Sequence, residues 1–403
     1  MIASGVIVEY NPFHNGHLYH LTKTKEKTAA DCLIAVMSGH FLQRGEPALV
    51  SKFSRAKMAL AAGCDIVVEL PYAFSTQHAE IFARGAVEIL SALDCTYLVF
   101  GSENGDIAKF QDTLALLNKY EKEIDATIHT FLKEGMSYPK AYEQAFQHVS
   151  TKHAPLDITK PNNMLGLNYL KAIRKLHSSL EPLTIKRIGS GYHDVSVADH
   201  EFASATAIRK KLIEQKTDLA ALRNYIPDVT YRELTSFHAE FGTFAHWESL
   251  WPFLKYQLLG KSAEELQDIY EIEEGLEYRM KTIAKGATSF QSFLEQLKTK
   301  RYTWTRLQRA AVHVLTNTKK EEMKRKSEKA EYIRLLGISD TGRKYLKYKK
   351  KEIALPVISR ISKSNLDMLK LDIKASYIYS FAYGLEKGQK LMDQEVQQPP
   401  ILI

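Results

Sequence analysis

Four short apolar runs in the first hundred residues constrain the fold more than any other feature of the sequence. The runs are GVIVEY, CLIAVMSG, DIVVELP and TYLVFGSE, and each ends in polar or glycine residues. Their hydrophobicity is continuous rather than alternating, which is typical of strands covered on both faces. Helical patterns near 16–29, 53–62 and 79–93 lie between the runs. This alternation predicts a parallel sheet with flanking helices, whose ligands bind beyond the carboxyl ends of the strands.

The rest of the sequence predicts a division near residue 220. LTIKRI, at residues 183–188, is typical of a further strand, and ASATAIRKKL predicts a helix capped by Ser204 or Thr206. Beyond this helix the pattern is mostly helical, and ALPVISRI at 354–361 is the one further strand-like run that we identify. We therefore expect an α/β domain over residues 1–220 and a mainly α-helical domain over residues 221–403.

Composition excludes several classes of protein. Hydrophobic residues make up 45% of the chain and charged residues 25%, which is ordinary for a globular protein. No apolar run reaches the roughly 18 residues that span a bilayer, and the first residues lack the pattern of a signal peptide, so we expect a cytoplasmic protein with no membrane partner. The 3 cysteines show no CxxC spacing, which argues against a disulfide framework or a zinc ribbon.

The positive charge is concentrated in one segment. Residues 301–350 contain 15 Lys or Arg and 5 Asp or Glu, a net charge of +10, whereas residues 1–100 have a net charge of −1. Tyrosines and a tryptophan are interleaved with these basic residues, as on surfaces that bind nucleic acid. A solvated basic helical face is the alternative interpretation. The nucleic-acid interpretation places RNA contacts at Trp304, Arg306, Arg309, Lys324, Arg325 and Lys326.

The stretch NPFHNGH, residues 11–17, follows the first predicted strand directly. Its spacing puts His14 and His17 on one side of a first helical turn, with the bare backbone of Gly16 between them. Helix N-termini favour anions, and imidazoles can donate hydrogen bonds to phosphate oxygens. A metal site is less compatible with the pattern, because His20 points away from the pair and no nearby acidic or thiol ligand completes a shell. The motif therefore predicts a phosphate site.

Two motifs in this order resemble the signatures of the HxGH superfamily of class I aminoacyl-tRNA synthetases and nucleotidyltransferases. The first is HNGH, and the second is ASATAIR, which is similar to the form SxTxIR. The resemblance implies a Rossmann-like nucleotidyltransferase domain in which both motifs approach the phosphates of a nucleotide. The sequence departs from the pattern at Ala205, where a second hydroxyl residue is usual. The matching positions are His14, Gly16, His17, Ser204, Thr206 and Arg209.

A closer resemblance covers most of the chain. GVIVEYNPFHNGHLYH, MSGHFLQRGEPALVSKFSRAKMAL, VVELP and FGSE are similar to segments of the bacterial tRNA(Met) cytidine acetate ligases, and PNNMLGLNYLKAI, IKRIGSGYHD and RYTWTRLQRAAVHVL extend the similarity. It implies that the first strand and turn hold ATP, together with the glycine of FGSE, an asparagine of PNN and the arginine of KRI. The implied contacts are Val8, Glu9, Tyr10, Asn11, Pro12, Phe13, His14, Asn15, Gly16, His17, Gly101, Asn162, with Asn163 as its alternative, Arg187 and Ile188.

This resemblance also implies a reaction. ATP and acetate, with Mg²⁺, would form an acetyl-adenylate, which then acetylates the wobble cytidine of elongator tRNA(Met); no obligatory protein partner is implied. The polar loop SGHFLQRGEPALVSK at 38–52 follows the second strand, and we expect Arg44 or Lys52 to neutralise acetate or the α-phosphate. Two alternatives stay open: an adenylyltransferase for a small phosphorylated acceptor, and an RNA-binding protein with a non-catalytic nucleotide pocket.

Overall fold

A computed structural model describes residues 1–150, 156–188 and 202–403 of the chain. Its strands are β1 Ala3–Val8, β2 Cys32–Ser38, β3 Ile66–Leu70, β4 Tyr97–Ser102, β5 Glu181–Lys186, β6 Ile333–Ile338, β7 Val357–Ile358 and β8 Ile401–Leu402. The last residues of the segment IKRIGSGYHD, 189–194, lie outside the described ranges.

The helices of the first half follow each of its five strands, with four of them between β4 and β5. They are α1 Asn15–Thr28, α2 Lys52–Ala61, α3 Tyr72–Ser75, α4 Ala79–Ala92, α5 Ile107–Lys119, α6 Glu121–Lys133, α7 Tyr138–Ser150, α8 Pro161–Lys175 and α9 Ala205–Ile213. The second half is dominated by helices, which are α10 Asp228–Phe241, α11 Trp247–Gly260, α12 Ala263–Gln267, α13 Leu276–Gly286, α14 Phe290–Leu297, α15 Trp304–Leu315, α16 Lys320–Lys326, α17 Asp340–Tyr348, α18 Leu366–Ser380 and α19 Gly384–Gln397.

The strand order β5-β4-β1-β2-β3-β6-β7 creates a crevice beside β1. β1 pairs in parallel with β2 on one side and β4 on the other, and β5 pairs in parallel with β4. The chain therefore turns to opposite sides of β1 in its two halves, which is the topological switch point where open α/β sheets bind ligands. The predicted parallel α/β architecture is confirmed.

The sheet separates two hydrophobic cores. Ala35 and Met37 of β2 face a core that contains α2 and many helices of the second half, whereas Ile34 and Val36 face a core built with α4, α5 and α8. Each of these four side chains is fully buried. Burial on both faces explains why the apolar pattern of these strands is continuous.

The second half of the chain also contributes to the sheet, which the sequence analysis did not predict. β6 pairs antiparallel with β3, so that Ile338 lies opposite Ile66 and Arg334 opposite Glu69. The expected strand at 354–361 is reduced to β7, which pairs with β6. The division near residue 220 stays a prediction, but residues beyond it complete the sheet.

Candidate active site

A cavity of about 210 Å³ opens at the carboxyl ends of β1, β4 and β5. It lies at the switch point beside β1, where the sheet topology places ligands. The N-terminus of α1 forms one wall and the N-terminus of α9 another, so backbone N–H groups of two helices face the same space. Its lining residues are His14, Gly16, Tyr19, His20, Gly101, Ile185, Lys186, Arg187, Ile188, Phe202, Ala203 and Ser204.

His14 and His17 cap α1 through one nitrogen each. Nδ1 of His14 accepts a hydrogen bond from the backbone N–H of Gly16 at 3.0 Å, and Nδ1 of His17 accepts one from the backbone N–H of His14 at 3.2 Å. The two rings stack with their centroids 3.8 Å apart. Because both Nδ1 atoms accept, a neutral ring must carry its proton on Nε2. The capping pattern therefore leaves an Nε2–H donor on each imidazole.

The environment keeps both imidazoles neutral. Burial, followed by the positive charge of Arg187, lowers the pKa of His14 to about 4. Burial and the neighbouring His14 and Arg187 lower the pKa of His17 well below its usual value. Neutral imidazoles near pH 7 act as hydrogen-bond donors rather than as cations. The charge that attracts a phosphate must therefore come from elsewhere.

Arg187 supplies a cation at the carboxyl end of β5. Its side chain lines the cavity, and burial lowers the pKa of its guanidinium while the carboxylate of Glu103 raises it. Gly101 lies directly below this side chain: a Cβ on Gly101 would stand 3.4 Å from Cγ of Arg187. Together with the neutral imidazole of His14 and the helix N-termini, Arg187 gives the cavity a lining suited to an anion.

Comparison with known proteins identifies this arrangement. Residues 1–395 match the family HIGH Nucleotidyl Transferase. The chain is 46% identical over 403 residues to the tRNA(Met) cytidine acetate ligase of Geobacillus sp. (strain WCH70), with 100% of both chains covered. It is 48% identical over 384 residues to that of Bacillus subtilis (strain 168), with 94% of this chain and 92% of the relative covered. The chain belongs to the tRNA(Met) cytidine acetate ligase family.

Solved structures of this ligase family share the fold over the whole chain. Thermotoga maritima TmcAL bound with alpha-thio ATP superimposes with a TM-score of 0.90 at 34% identity, with 100% of both chains covered. The apo form of the same protein gives a TM-score of 0.91 at 35% identity, again with 100% of both chains covered. The chain is therefore a ligase of the HxGH nucleotidyltransferase fold.

The residues of this acetate ligase that are predicted to bind ATP fall into two groups: some line the cavity, and the others support the turn from beneath. His14 and Gly16 line the cavity, whereas Val8, Tyr10, Asn11, Pro12 and Phe13 are buried beneath the turn. Asn11 anchors the turn, because its Oδ1 accepts a hydrogen bond from the N–H of Leu49 at 2.7 Å. Glu9 accepts one from the N–H of Gln43, and Asn15 donates to the carbonyl of Asn224. His17 packs on Tyr10 and Phe13.

The second signature lies beside the first. Ser204 caps α9 by accepting a hydrogen bond from the N–H of Ala207 and also lines the cavity. Arg209 donates to the carbonyl of Asn11 at 2.9 Å and forms an ion pair with Glu46 at 2.6 Å. Thr206 is exposed one turn before Arg209. Arg209 thus joins α9 to the first turn, but its guanidinium is engaged by a carboxylate and does not line the cavity.

Geometry separates the two candidate asparagines at the N-terminus of α8. Asn163 is buried; its Oδ1 accepts a hydrogen bond from the N–H of Asn104 and its Nδ2 donates to the carbonyl of Asp157. Asn162 is half-buried, and its Nδ2 donates to Glu103 at 2.7 Å. Neither asparagine lines the cavity; both amide atoms of Asn163 are occupied within the protein, whereas the side chain of Asn162 engages only its Nδ2 among the hydrogen bonds of the described residues.

Arg44 and Lys52 occupy different environments. Arg44 is exposed, and its charge is close enough to Arg187 and Glu9 to shift the pKa of both. Lys52 is fully buried, and its Nζ lies 2.6 Å from Oε2 of Glu69 and 2.8 Å from Oε2 of Glu395. A lysine enclosed by two carboxylates has no free charge for a substrate. The prediction that Lys52 neutralises acetate or the α-phosphate is therefore not supported by its position in the structure.

The predicted RNA surface is only partly exposed. Trp304 is 43% exposed, and Lys324 and Arg325 are exposed on α16. Arg309 is buried and its Nε pairs with Oε1 of Glu271 at 2.8 Å, so its charge is offset within the protein. Arg306 pairs with Glu273 at 3.4 Å, and Lys326 pairs with Glu331 at 2.7 Å.

The interleaved tyrosines that suggested base stacking are mostly core residues. Tyr302, Tyr332 and Tyr345 are buried, whereas Tyr348 is 61% exposed.

Several lining residues were not predicted. His20 was considered only as a metal ligand, yet it lines the cavity and its Nε2 is buried without a hydrogen-bond partner in the described part of the chain. His20 lies four residues after Gly16 and therefore on the same face of α1, so helix spacing could have predicted that it lines the cavity. Phe202 and Lys186 come from a connection and a strand end, where side-chain direction cannot be derived from spacing alone.

The lowered pKa of His14 predicts a measurable effect of acid on stability. The pKa rises from about 4 in the folded protein to its ordinary value of 6.5 in the unfolded chain. Unfolding therefore takes up a proton between these values, and the stability present above pH 6.5 is lost as the pH falls towards 4, by about 2 kcal/mol at pH 5. We expect His14→Asn, which keeps an N-cap but cannot titrate, to show a smaller drop in melting temperature between pH 7 and pH 5. An identical drop in both proteins would contradict a neutral, buried His14.

Proposed function

We propose that this chain joins acetate to the wobble cytidine of elongator tRNA(Met), forming 4-acetylcytidine through an acetyl-adenylate. The observation that carries the proposal is the cavity at the switch point, where the neutral imidazoles of His14 and His20, the guanidinium of Arg187 and two helix N-termini surround space for a triphosphate, with His17 stacked behind His14. The names of the full-length relatives supply the tRNA and the acetate. Because this substrate is a tRNA, we also propose a cytoplasmic location; no described helix is long and apolar enough to cross a membrane.

In the first step a carboxylate oxygen of acetate attacks the α-phosphorus of ATP. A new P–O bond forms, the bond to the bridging oxygen of the β-phosphate breaks, and pyrophosphate leaves with the electron pair. The Nε2–H groups of His14 and His17 donate to oxygens whose charge grows during departure. Arg187 offers a charge-assisted hydrogen bond to the same triphosphate. Catalysis in this step is positioning and charge stabilisation, and no protein nucleophile is required.

In the second step the exocyclic amine of cytidine attacks the acetyl carbonyl of the adenylate. The C–N bond forms, the C–O bond to AMP breaks, and the amine proton is lost to water. Cytosine's amine is delocalised into its ring and is a poor nucleophile, so the mixed anhydride must supply the driving force. The reaction thus consumes ATP and releases AMP and pyrophosphate.

Arg209 and Ser204 have proposed roles at the phosphates. Ser204 begins α9 at the cavity wall, so the N–H groups of that helix face the ligand. Arg209 is paired with the single negative charge of Glu46, and a triphosphate carries more charge than one carboxylate. We propose that Arg209 exchanges Glu46 for a terminal phosphate when ATP binds, with Thr206 and Asn162 completing the contacts.

Mg²⁺ would neutralise the phosphate oxygens when it enters with ATP. Within residues 1–150, 156–188 and 202–403, no group of three or more His, Cys, Asp or Glu side chains is placed to hold a metal ion.

Arg44 is the proposed acetate cation. It is exposed beside Arg187 and makes no hydrogen bond or ion pair within the described residues. We expect Arg44→Ala to raise the KM for acetate by about 10-fold or more, because a charge-assisted hydrogen bond contributes about 1.5–3 kcal/mol. Acetate-dependent exchange of labelled pyrophosphate into ATP measures this, and the KM for ATP should change less. Unchanged exchange kinetics would remove Arg44 from this role.

Labelled acetate tests the proposed function directly. The protein is incubated with ATP, labelled acetate and total tRNA, and the RNA is digested to nucleosides. Label in 4-acetylcytidine from tRNA(Met) is the expected result. A stable adenylylated small molecule would instead favour an adenylyltransferase, and tRNA binding without any ATP turnover would favour a non-catalytic RNA-binding protein.

A further inference from the structure

A basic surface on α17 and the turn after it has no assigned role. We name the exposed side chains Arg343, Lys344, Lys347, Tyr348, Lys350 and Lys351 the α17 patch. Arg343 pairs with Asp340. The four lysines of the patch make no hydrogen bond or ion pair within the described residues, so four ammonium groups face solvent uncompensated.

The α17 patch is one continuous face. Lys344 lies three residues before Lys347 and four before Tyr348, and side chains at these spacings are neighbours on a helix surface. The opposite face of α17 is anchored, because the buried Tyr345 donates its hydroxyl to the carbonyls of Leu93 and Asp94 at 2.9 Å. The patch is therefore held rigidly outward.

Such a surface destabilises the folded protein when nothing neutralises it. Like charges three or four residues apart on a helix repel one another, and here few acidic side chains offset them. The segment 343–363 contains 8 Lys or Arg and a single acidic residue, Glu352. Lysine rows of this kind match the phosphates of a nucleic-acid backbone, and the exposed ring of Tyr348 offers a flat partner for a base or ribose.

The α17 patch lies at the edge of the sheet opposite the cavity. β6 runs antiparallel to β3, so α17 begins where β3 begins, and the N–H of Ser339 donates to the carbonyl of Asp65 at 2.8 Å. The cavity is at the carboxyl ends of the strands. Strands of six residues separate the two edges by roughly 20 Å. A base held in the cavity and a phosphate held on the patch are therefore about 20 Å or more apart on one RNA.

We propose that the α17 patch binds the tRNA backbone away from the anticodon loop and makes the enzyme prefer complete tRNA over its anticodon arm alone. This inference rests on the proposed acetylation of the wobble cytidine. The patch increases the affinity of the complex without touching the reacting atoms.

A charge-neutralised variant tests the proposal. The variant carries Lys344→Gln, Lys347→Gln, Lys350→Gln and Lys351→Gln, and the matched control carries Lys109→Gln, Lys119→Gln, Lys122→Gln and Lys133→Gln, which are exposed lysines on α5 and α6. Pyrophosphate exchange should stay within twofold of wild type in both. With complete tRNA(Met), kcat/KM of the patch variant should fall at least 10-fold, whereas with a hairpin of the anticodon stem and loop it should not change.

Salt dependence gives a readout that is independent of acetylation. Each phosphate contact contributes about 0.9 to the slope of log K against log salt on a duplex, so replacing four lysines should decrease the magnitude of the slope for complete tRNA by about 3.6 in the patch variant only. If the wild-type protein binds tRNA but acetylates none, the proposed function is wrong. The salt dependence of tRNA binding then still shows whether the α17 patch contacts tRNA. An equal loss of kcat/KM with the hairpin and with complete tRNA, or no loss of kcat/KM with either substrate, would overturn the proposal. Loss of binding to anionic lipid vesicles with unchanged tRNA binding would overturn it in favour of a membrane surface.

Discussion

His14→Asn is expected to slow acetate-dependent pyrophosphate exchange by about 10²–10³-fold, the range found when one preorganised donor to a developing negative charge is removed. Asparagine caps helices well, so the variant keeps the hydrogen bond to Gly16 and the start of α1. It loses the Nε2–H group that the capping geometry leaves free for the phosphates. The rate constant of exchange at saturating ATP and acetate is the quantity to measure.

A matched substitution separates chemistry from folding. His129 is an exposed histidine on α6, far along the chain from the cavity motifs, and His129→Asn should leave exchange unchanged. The melting temperature of His14→Asn at pH 7 should stay close to that of wild type, because the cap is preserved. Wild-type exchange by a well-folded His14→Asn protein would show that the ring does not act on the leaving group.

Arg187→Met is expected to raise the KM for ATP by about 10-fold to 100-fold. Methionine keeps an unbranched chain beside Gly101 but removes the guanidinium, whose charge-assisted hydrogen bond contributes about 1.5–3 kcal/mol, where 1.4 kcal/mol is a factor of ten. Initial-rate exchange at varied ATP measures the change. The pKa of His14 should also rise, because the charge of Arg187 helps to lower it.

Arg174→Met serves as the control for this change, since Arg174 is exposed on α8. Its kinetics should match wild type. If Arg187→Met lowered kcat while the KM for ATP stayed constant, Arg187 would act on the transition state alone and not in binding ATP.

The site was most predictable where its determinants are local. The strand, the HxGH turn and the spacing of His14, Gly16 and His17 all fall within one short stretch, and hydrophobic periodicity and helix geometry suffice to place them together. Gly101 and Arg187 could be placed at the same edge because parallel strands align their carboxyl ends. The tautomer of each histidine could not be derived, since it depends on hydrogen bonds to backbone groups.

The predictions that did not agree with the structure involve pairs that are distant in sequence. Lys52 was one of two cations expected to neutralise acetate or the α-phosphate, with Arg44 as the alternative, but its partner Glu395 is 343 residues away and cannot be recognised from any local pattern. Arg309 was assigned to RNA, although Glu271 neutralises it inside the protein. A basic residue in a sequence carries no indication of whether a distant carboxylate will enclose it.

β6 was missed for a different reason. IRLLGI is a continuous apolar run like those of β1 and β2, but it lies in the most basic part of the chain and contains Arg334. A basic segment is typical of a solvent-exposed surface, whereas Arg334 is buried and donates a hydrogen bond to the carbonyl of Glu395. For this segment the continuous apolar run predicts the strand correctly, whereas the basic composition does not.

The antiparallel addition of β6 to β3 limits how this enzyme can be divided or recombined. Without residues 333–338, β3 would present an unpaired edge, and without Glu395 the buried Lys52 would lose one of its two carboxylates. A fusion of the first 220 residues to a different RNA-binding protein would therefore contain a sheet that lacks β6. The part of the chain that carries the cavity cannot be moved into another protein without the C-terminal residues that complete its sheet.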